Sequence, residues 1–351
     1  MKKLLFLIGL IFIYSSTYAQ DEIEISEEDS SEVYCSYSSL DLGKNKTGIS
    51  FGNSPRWNGI RFNFSDCGIK EINGINITLW KPEENSGSKI KGIAFGFAPF
   101  ADRIQGVSFG ILASVAGESI QGINIGGLAV VSGGNADGIN FGGLAAVAQN
   151  DFMGLNFGGL AVVSQGDMKG MNAGGLALVA QGDQIGINYG GLACVAQGNM
   201  KGLNVGGLAL VSQGEMLGIN IGGLALVSQK DIRGINFGGL AVVSQGDIYG
   251  LSQALLAVIS QKTIKGMNIV GYKTEADEFK GINITACWTK VNIMRGASIS
   301  AYNKIDEQHG LSIGILNVAE ELHGFQIGLI NIAKNNEGIA KVLPFFNANF
   351  E

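Results

Sequence analysis

The sequence contains little proline, and beyond its N-terminal apolar run it has almost no stretch with helical periodicity. Only 4 of the 351 residues are proline, so β-strands can run without interruption. Apolar residues do not recur every 3.6 residues over helical lengths, as they would in an amphipathic helix. These two absences exclude a helical bundle and predict an all-β protein.

Basic charge and catalytic motifs are also scarce. The formal net charge is -6, which argues against nucleic acid as a partner. There is no Cys-x-x-Cys pair, no Gly-x-Gly-x-x-Gly loop leading into a helix and no Walker lysine. The recurring serines have no His or Asp partner for a nucleophilic triad. The sequence therefore predicts no enzyme and no cofactor.

The first residues have the pattern of a secretory signal peptide. Lysines at positions 2 and 3 precede the apolar run Leu4 to Tyr14, and Thr17-Tyr18-Ala19 forms a small-residue cleavage site. No Cys stands at that site, which argues against a lipoprotein anchor. Asp21 to Glu32 follows as an acidic, flexible linker. The chain is therefore expected to be exported, to an outer membrane, a cell surface or the periplasm.

A sixteen-residue phrase recurs through the centre of the chain. Gly122-Ile-Asn-Ile-Gly-Gly-Leu-Ala-Val-Val is followed by near copies that open every sixteen residues, and such a strict period indicates stacked structural units. Five regions follow: a signal peptide at 1–19, a linker and N-terminal cap at 20–47, degenerate repeats at 48–121, regular repeats at 122–265, and degenerate repeats with a C-terminal cap at 266–351.

Each unit is numbered here from its opening glycine at position 0. Positions 1 and 3 are apolar and Asn stands between them at position 2, which is the alternation of a β-strand. Two glycines follow at positions 4 and 5, and the apolar residues then move to positions 6 and 8. We predict that the chain turns a corner at the glycine pair, so that positions 1, 3, 6 and 8 share one core.

Two architectures fit this repeat. In a β-solenoid each unit is one coil, parallel strands stack about 4.8 Å apart, and the Asn side chains hydrogen-bond along the stack. In a transmembrane β-barrel of about 18 to 20 antiparallel strands, each unit is one strand with its apolar residues facing lipid. The near identity of the units and the lack of long loops favour the solenoid. The alternation at position 15 and the aromatic ending Leu343 to Phe350 favour the barrel.

The C-terminal phrases carry a family resemblance. Gly310 to Ala319, Gly324 to Ala333 and the ending Leu343 to Phe350 resemble the leptospiral-type surface-repeat proteins, which are secreted proteins of double-membraned bacteria. The resemblance implies an envelope or surface location. It implies no activity and no catalytic residues.

Two histidines occupy equivalent positions in neighbouring units. Glu307-Gln308-His309-Gly310 is followed by Glu321-Leu322-His323-Gly324. Four side chains, His309, His323, Glu307 and Glu321, come within reach of one metal ion if the units stack. The alternative is that all four are polar residues on exposed turns.

The remaining candidates are acidic turn residues and cysteines. Turn acids such as Asp167 and Asp183 form either a calcium-binding column or a solvated one, although the alternating ligands of a calcium-binding nonapeptide are missing. Cys35 and Cys67 form a disulfide if their geometry allows it. Cys194 and Cys287 are expected to be small core residues.

The function predicted from these features is a structural or binding role. The first hypothesis is a non-enzymatic repeat protein of the bacterial envelope or surface, which binds an unknown surface ligand or envelope component through a long β face. Membrane association is left open. The alternative is an outer-membrane barrel with a pore or scaffold role. A third hypothesis is a metal protein or enzyme that uses the His pair.

Overall fold

Consecutive units of the chain pair in parallel, each with the next. A computed structural model describes residues 35–80, 82 and 85–350, and those from Ser36 onward belong to one compact unit. In the regular region each residue pairs with the residue sixteen positions later, as Asn188 does with Asn204. Parallel pairing is the arrangement of a β-solenoid, so the predicted all-β solenoid of sixteen-residue coils is confirmed and the antiparallel barrel is not the fold.

Each regular coil contains one longer and one shorter strand. The chain leaves the longer strand at the second glycine of the pair, turns through Gly and Leu, and enters the shorter strand at Ala. The longer strands stack into a first parallel sheet and the shorter strands into a second. The longer strands are β9 (Asn135–Gly142), β11 (Phe152–Gly158), β13 (Met168–Gly174), β15 (Gln184–Gly190), β17 (Met200–Gly206), β19 (Met216–Gly222), β21 (Ile232–Gly238), β23 (Ile248–Ala254) and β25 (Thr263–Val270). The shorter strands are β8 (Ala129–Ser132), β10 (Ala145–Ala148), β12 (Ala161–Ser164), β14 (Ala177–Ala180), β16 (Ala193–Ala196), β18 (Ala209–Ser212), β20 (Ala225–Ser228), β22 (Ala241–Ser244) and β24 (Ala257–Ser260).

Before and after the regular coils, some strands continue from the second sheet into the first without a turn. The N-terminal strands are β1 (Ser39–Lys44), β2 (Thr47–Gly52), β3 (Arg56–Asn63), β4 (Glu71–Thr78), β5 (Lys89–Gly96), β6 (Phe100–Gly110) and β7 (Ala113–Gly126). The C-terminal strands are β26 (Lys273–Thr285), β27 (Trp288–Ile299), β28 (Tyr302–Ala333) and, after a 3₁₀ helix at Gly338–Lys341, β29 (Val342–Asn349). Strand β7 shows this continuity, because it pairs with β8 through one half and with β9 through the other.

Antiparallel strands close both ends of the stack. Strand β1 pairs antiparallel with β2, and β29 pairs antiparallel with β28. Every other pairing in the described part of the chain is parallel. A coil from another chain cannot extend the parallel stack in register on an antiparallel terminal strand. Protected ends of this kind prevent repeat arrays from pairing with other chains.

The interior differs from the predicted core. In the coil that opens at Gly186, Asn188 is fully buried, whereas its neighbours Ile187 and Tyr189 are 44% and 47% exposed. Leu192 at position 6 is 46% exposed, and only Cys194 at position 8 is buried as predicted. The prediction that positions 1, 3 and 6 fill the core is therefore wrong. Positions 2, 4, 8, 10 and 14 face inward instead.

Position 14 supplies the apolar core that the sequence reading missed. Its residues are buried in every regular coil and pack beside the buried residues of position 8. They are Ala136, Phe152, Met168, Gln184, Met200, Met216, Ile232, Ile248 and Ile264, of which Gln184 alone is polar. The inward positions are all even, and the period of sixteen is also even, so even positions face inward in both strands. Position 6 is even but exposed, because it lies in the turn between the two strands. No change of parity at the glycine pair is needed.

The buried asparagines form a hydrogen-bonded ladder, as predicted for a solenoid. The amide Nδ2 of Asn172 donates to Oδ1 of Asn188 at 2.9 Å, and Nδ2 of Asn188 donates to Oδ1 of Asn204 at 2.9 Å. The same contact links every pair of successive coils from Asn124 to Asn236, at 2.8–3.0 Å. Each amide inside the ladder, from Asn140 to Asn220, is thus paired on both sides, which offsets the free-energy cost of burying it.

The opening glycine is required by the closeness of the coils. Gly186 has φ of +118°, and a Cβ at this residue would lie 2.1 Å from the carbonyl oxygen of Gly170 in the preceding coil. Side chains rarely adopt this backbone conformation, and no L-residue tolerates such a contact without a shift of the backbone. The strict recurrence of glycine at position 0 follows from this stacking.

Candidate functional site

The outer surface of the solenoid carries three columns of large apolar side chains. We call these columns, at positions 1, 3 and 6 of the coils from Gly106 to Ile269, the apolar face. Position 1 contributes Val107, Ile123, Ile139, Leu155, Met171, Ile187, Leu203, Ile219, Ile235, Leu251 and Met267. Position 3 contributes Phe109, Ile125, Phe141, Phe157, Ala173, Tyr189, Val205, Ile221, Phe237, Gln253 and Ile269. Position 6 contributes Leu112, Leu128, Leu144, Leu160, Leu176, Leu192, Leu208, Leu224, Leu240 and Leu256.

The apolar face is larger than a soluble monomer normally exposes. Its members are partly to largely exposed, and the leucines at position 6 are the most regular: Leu160, Leu176 and Leu192 are 46–47% exposed. At about 4.8 Å per coil and 3.3 Å per residue, the three columns cover roughly 50 Å by 15 Å, or about 750 Å². The largest apolar patch of a typical monomer is about 300–600 Å² and is often functional.

The second sheet extends this apolar surface around the corner. Its outward positions 7 and 9 hold small apolar residues, such as Ala177 and Val179, which are half-buried. In the regular coils position 7 is Ala and position 9 is Val or Ile throughout. The apolar surface thus covers the first sheet, the leucine corner and the second sheet.

The N–H groups at the leucine corner are all hydrogen-bonded along the stack. The N–H of Gly191 donates to the carbonyl of Gly174 at 3.0 Å, and the N–H of Leu192 donates to the carbonyl of Leu176 at 2.7 Å. The N–H of Ala193 donates to the same Leu176 carbonyl at 3.0 Å. The other regular coils repeat these contacts. A turn normally leaves N–H groups for water, but this corner offers water none of its three donors.

All charge in the regular part of the stack lies on the opposite edge. Every Asp, Glu, Lys and Arg between Gly106 and Lys265 occupies position 12, 13 or 15. We call this strip the charged edge. Lys169 pairs with Asp167 at 2.9 Å, and Arg233 pairs with Asp231 at 2.7 Å. The cross-section of a coil is therefore polar at one end and apolar at the other.

The acids of the charged edge hold the turns together. Oδ1 of Asp151 accepts the N–H of Asp167 at 2.8 Å, and Oδ1 of Asp167 accepts the N–H of Asp183 at 2.9 Å. This backbone hydrogen bond from Asp183, with Lys169 beside it, lowers the pKa of the Asp167 carboxyl. Because Asp151, Asp167, Asp183, Asp231 and Asp247 each accept a backbone N–H from the next coil, the column has a structural role that was not predicted from the sequence.

The two histidines lie in adjacent coils, as the sequence predicted. The rings of His309 and His323 are stacked, with centroids 4.9 Å apart. Nε2 of His309 lies 2.6 Å from Oε1 of Glu307, and Nε2 of His323 lies 4.0 Å from Oε2 of Glu321. Proximity to His309 lowers the pKa of Glu307. Among the residues that the structure describes, no group of three or more His, Cys, Asp or Glu side chains is placed to hold a metal ion, and the metal site stays a prediction.

The four cysteines differ in environment. Cys35 and Cys67 are both disulfide-bonded. Cys194 is a free, fully buried thiol within hydrogen-bond distance of Gln184, and burial raises its pKa to about 12. Cys287 is free but exposed. The prediction that Cys287 is a core residue is wrong, because it lies on the outside of a coil corner, between Ala286 and Trp288.

A buried charged cluster replaces the asparagine ladder near the N-terminal end. Arg61 occupies position 2 of its coil, is fully buried and pairs with Asp66 at 2.5 Å. The same guanidinium donates to Oδ1 of Asn76 at 2.8 Å, and Nδ2 of Asn76 donates to Asp66 at 2.9 Å. The cluster is enclosed by protein and has no opening to a ligand, so we assign it to the stability of the N-terminal coils.

Comparison with known proteins finds no similar family, since no family model, curated protein or solved structure matches the chain. Within the described ranges, no helix is long and apolar enough to cross a membrane. The apolar face is therefore the feature on which a functional assignment rests. The sequence indicates this face through the apolar residue at position 14. Because positions 14 and 2 are both even, they lie on the same, inner side of the strand, and the odd positions 1 and 3 lie on the outside.

Proposed function

We propose that the protein is an exported, non-enzymatic protein of the bacterial envelope that binds an envelope component through its apolar face. The observation that carries the proposal is the continuous exposed surface of Ile, Leu and Phe side chains on a rigid stack. Large exposed apolar patches rimmed by polar residues are typical of surfaces that bind a protein or a membrane.

Export is supported by the sequence alone. The predicted signal peptide at 1–19 lies outside the described residues, and the resemblance of the C-terminal phrases to surface-repeat proteins points the same way. The binding surface consists of residues that were predicted to be internal. The Asn side chains at position 2 are buried, and the apolar residues of positions 1, 3 and 6, which were predicted for the core, form the outer surface.

Fractionation of cells that express the full chain tests the proposal. We compare the wild type with the double variant Leu176→Glu/Leu192→Glu, which places two carboxylates on the apolar face. The matched control is Gln181→Glu/Gln197→Glu, which places the same charges on exposed turn residues of the same coils. We expect the wild type and control in the envelope fraction and the leucine variant mainly in the soluble exported fraction. Cytoplasmic wild type, or equal behaviour of the two variants, would contradict the proposal.

A further inference from the structure

The apolar surface surrounds the solenoid on three sides. In the coil that opens at Gly186 it begins at Ile187, continues through Tyr189 and the corner at Leu192, and returns along Ala193 and Val195. A second copy of the chain, or any rigid partner with a flat surface, covers one sheet and leaves the corner and the other sheet in water. A fluid apolar phase covers all three sides at once.

The depth of the apolar surface matches one leaflet of a lipid bilayer. From position 1 to the corner at position 5 the chain advances four residues, or about 13 Å at 3.3 Å per residue. The hydrocarbon core of a bilayer is about 30 Å thick, so one leaflet contributes about 15 Å. No charged side chain lies between positions 1 and 9 of any coil from Gly106 to Lys265, so none enters the hydrocarbon at that depth.

The backbone also fits a hydrocarbon environment. An unpaired N–H or C=O group costs several kcal/mol in lipid, which excludes ordinary loops from the hydrocarbon region. The corner through Gly191, Leu192 and Ala193 donates all three of its N–H groups to the preceding coil, and the carbonyl oxygen of Leu192 accepts two bonds from the next coil. One polar group of the corner, the carbonyl oxygen of Gly191, accepts no backbone hydrogen bond. In this stack the part of the coil farthest from the charged edge is thus a turn with no free donor.

The variation of side-chain size at position 3 favours a fluid partner over a protein surface. Phe157, Ala173 and Tyr189 follow one another in successive coils on the same column. A rigid partner would need a complementary cavity for each, because packed interfaces leave few voids. Acyl chains are fluid and can fill a surface on which large and small side chains alternate. The charged edge has both signs, with Asp167 beside Lys169 and Asp231 beside Arg233, which suits the zwitterionic headgroups of a neutral lipid.

We infer that the solenoid lies along a membrane surface with its leucine corner inserted into one leaflet and its charged edge among the headgroups. The inference rests on the proposed function and names lipid hydrocarbon as the component that the apolar face binds. The coils from Gly106 to Lys265 form the inserted part, because the leucine corner and the apolar second sheet occur together in each of them.

Flotation with phosphatidylcholine vesicles tests the inference on the full exported chain. We expect the wild type and Gln181→Glu/Gln197→Glu to float with the vesicles, and Leu176→Glu/Leu192→Glu to bind at least tenfold less. The altered leucines are exposed, so the folded stack is expected to survive, and circular dichroism checks that it does. Failure of the wild type to float, or equal flotation of the two variants, overturns the inference.

Depth is measured in a second pair of near-native variants. Leu208→Trp places a fluorophore at the corner and Gln213→Trp places one on the exposed turn. We expect vesicles brominated in the acyl chains to quench the added fluorescence of Leu208→Trp at least several-fold more than that of Gln213→Trp, each relative to the parent chain. Equal quenching contradicts insertion.

A separate outcome distinguishes this inference from the proposed function. Sedimentation of the lipid-free protein shows whether the apolar face joins two copies. A dimer that Leu176→Glu/Leu192→Glu dissociates, in a chain that does not float, replaces lipid by a second copy as the occupant. If that variant also leaves the envelope fraction of cells, the proposed function survives the loss of the lipid inference. If it remains there, both fail.

Discussion

The regular coils and the shorter coils that follow Gly266 use the same opening glycine but differ in their second sheet. In the regular coils the outward positions of this sheet are Ala and Val. In the shorter coils they include Lys273, Glu275 and Lys290, with Glu275 2.5 Å from Lys273 and 2.9 Å from Lys290. Lys273 also lies over the ring of Trp288, 5.0 Å from its centroid. The outer side of the second sheet is thus apolar in the regular coils and charged in the first of the shorter coils.

The interior changes over the same boundary. The asparagine ladder runs unbroken to Asn236 and weakens at Ser252, where the contact lengthens to 3.4 Å. Asn268 is fully buried but neither its Oδ1 nor its Nδ2 has a hydrogen-bond partner. A new ladder begins on the other sheet, where Nδ2 of Asn303 donates to Oδ1 of Asn317 at 2.8 Å. Shortening the coil thus moves polar pairing from one sheet to the other. Charged side chains interrupt the apolar surface of the second sheet until Leu316, Val318 and Ile330 restore it in the last two coils.

The largest effect is expected from breaking the regular ladder. Asn188→Ala removes two hydrogen bonds and leaves Nδ2 of Asn172 and Oδ1 of Asn204 buried without partners. At about 1–3 kcal/mol for each unsatisfied group, we expect local stability to fall by about 4 kcal/mol. Hydrogen exchange of the flanking coils measures this, because it reports local opening.

Asn268→Ala is the matched change at the boundary. Its amide is buried but unpaired, so its removal should change the exchange free energy by less than about 1 kcal/mol. Similar losses at Asn188 and Asn268 would show that the ladder does not stabilise the regular coils.

A second prediction concerns the feature that both regions share. Gly186→Ala and Gly296→Ala each place a Cβ 2.1 Å from a carbonyl oxygen of the preceding coil, at positive φ. Backbone strain of this kind costs about 1–3 kcal/mol, and we expect each change to destabilise its own coils by about 3 kcal/mol in urea unfolding monitored by circular dichroism. A much smaller loss in one region would mean that its coils are less tightly stacked.

Acid should loosen the regular turns in a way that the shorter coils do not share. The pKa of Asp167 is lowered by the N–H of Asp183 and by Lys169. Its carboxylate therefore contributes stability at pH values above its unfolded pKa, and that contribution is lost as the pH falls through the lower folded pKa. We expect the protection of the turn amides, the N–H of Asp183 among them, to fall below about pH 4 when each rate is compared with the intrinsic exchange rate at the same pH.

Asp167→Asn is the control for the acid effect. Asn199 already fills the equivalent position, and its Oδ1 accepts the N–H of Glu215 at 2.9 Å. The variant should keep the turn and lose the acid dependence at the N–H of Asp183. Acid dependence that persists there in Asp167→Asn would assign the effect to another group.

The smallest perturbation compares the two free thiols. Cys194 lies inside a regular coil with its pKa raised to about 12 by burial, and Cys287 lies exposed on a shorter coil. A thiol-reactive reagent at neutral pH should modify Cys287 quickly and leave Cys194 unmodified until the stack unfolds. Mass spectrometry of peptides measures both rates. Fast labelling of Cys194 in the native protein would show that the regular coils open readily.

The period, the fold class and the asparagine ladder were predictable from the sequence. The side chains that face the interior of the coil were not predicted correctly. The error came from assigning Ile187, Tyr189 and Leu192 to the core because they are apolar. Met200 and Leu210 are apolar and lie an even number of residues from Asn204. They therefore indicated that Asn204 faces the interior with them. A polar residue such as Asn is normally placed outside, but a stack of identical coils pairs each amide with its own copy. The interior can then hold Asn and leave Leu outside.

The candidate site could not be predicted for a related reason. Catalytic and metal-binding sites are usually recognised by residues that are rare in a sequence, and the repeat spacing correctly predicted that His309 and His323 are adjacent. The apolar face consists of the commonest residues of the repeat, and its role depends only on which side of the strand they occupy. The bonds that the corner at Leu192 makes to the preceding coil also depend on three-dimensional register and have no signature in a single unit.

The even spacing between equivalent residues has a consequence for how such a protein can change in length. Each regular coil presents the same upper and lower surface, so duplicating or deleting one whole unit joins Asn to Asn and Gly to Gly without creating a new junction. Homologous chains with more or fewer units would then form a longer or shorter stack between the same terminal strands. Selection can adjust the span of the protein by copy number alone.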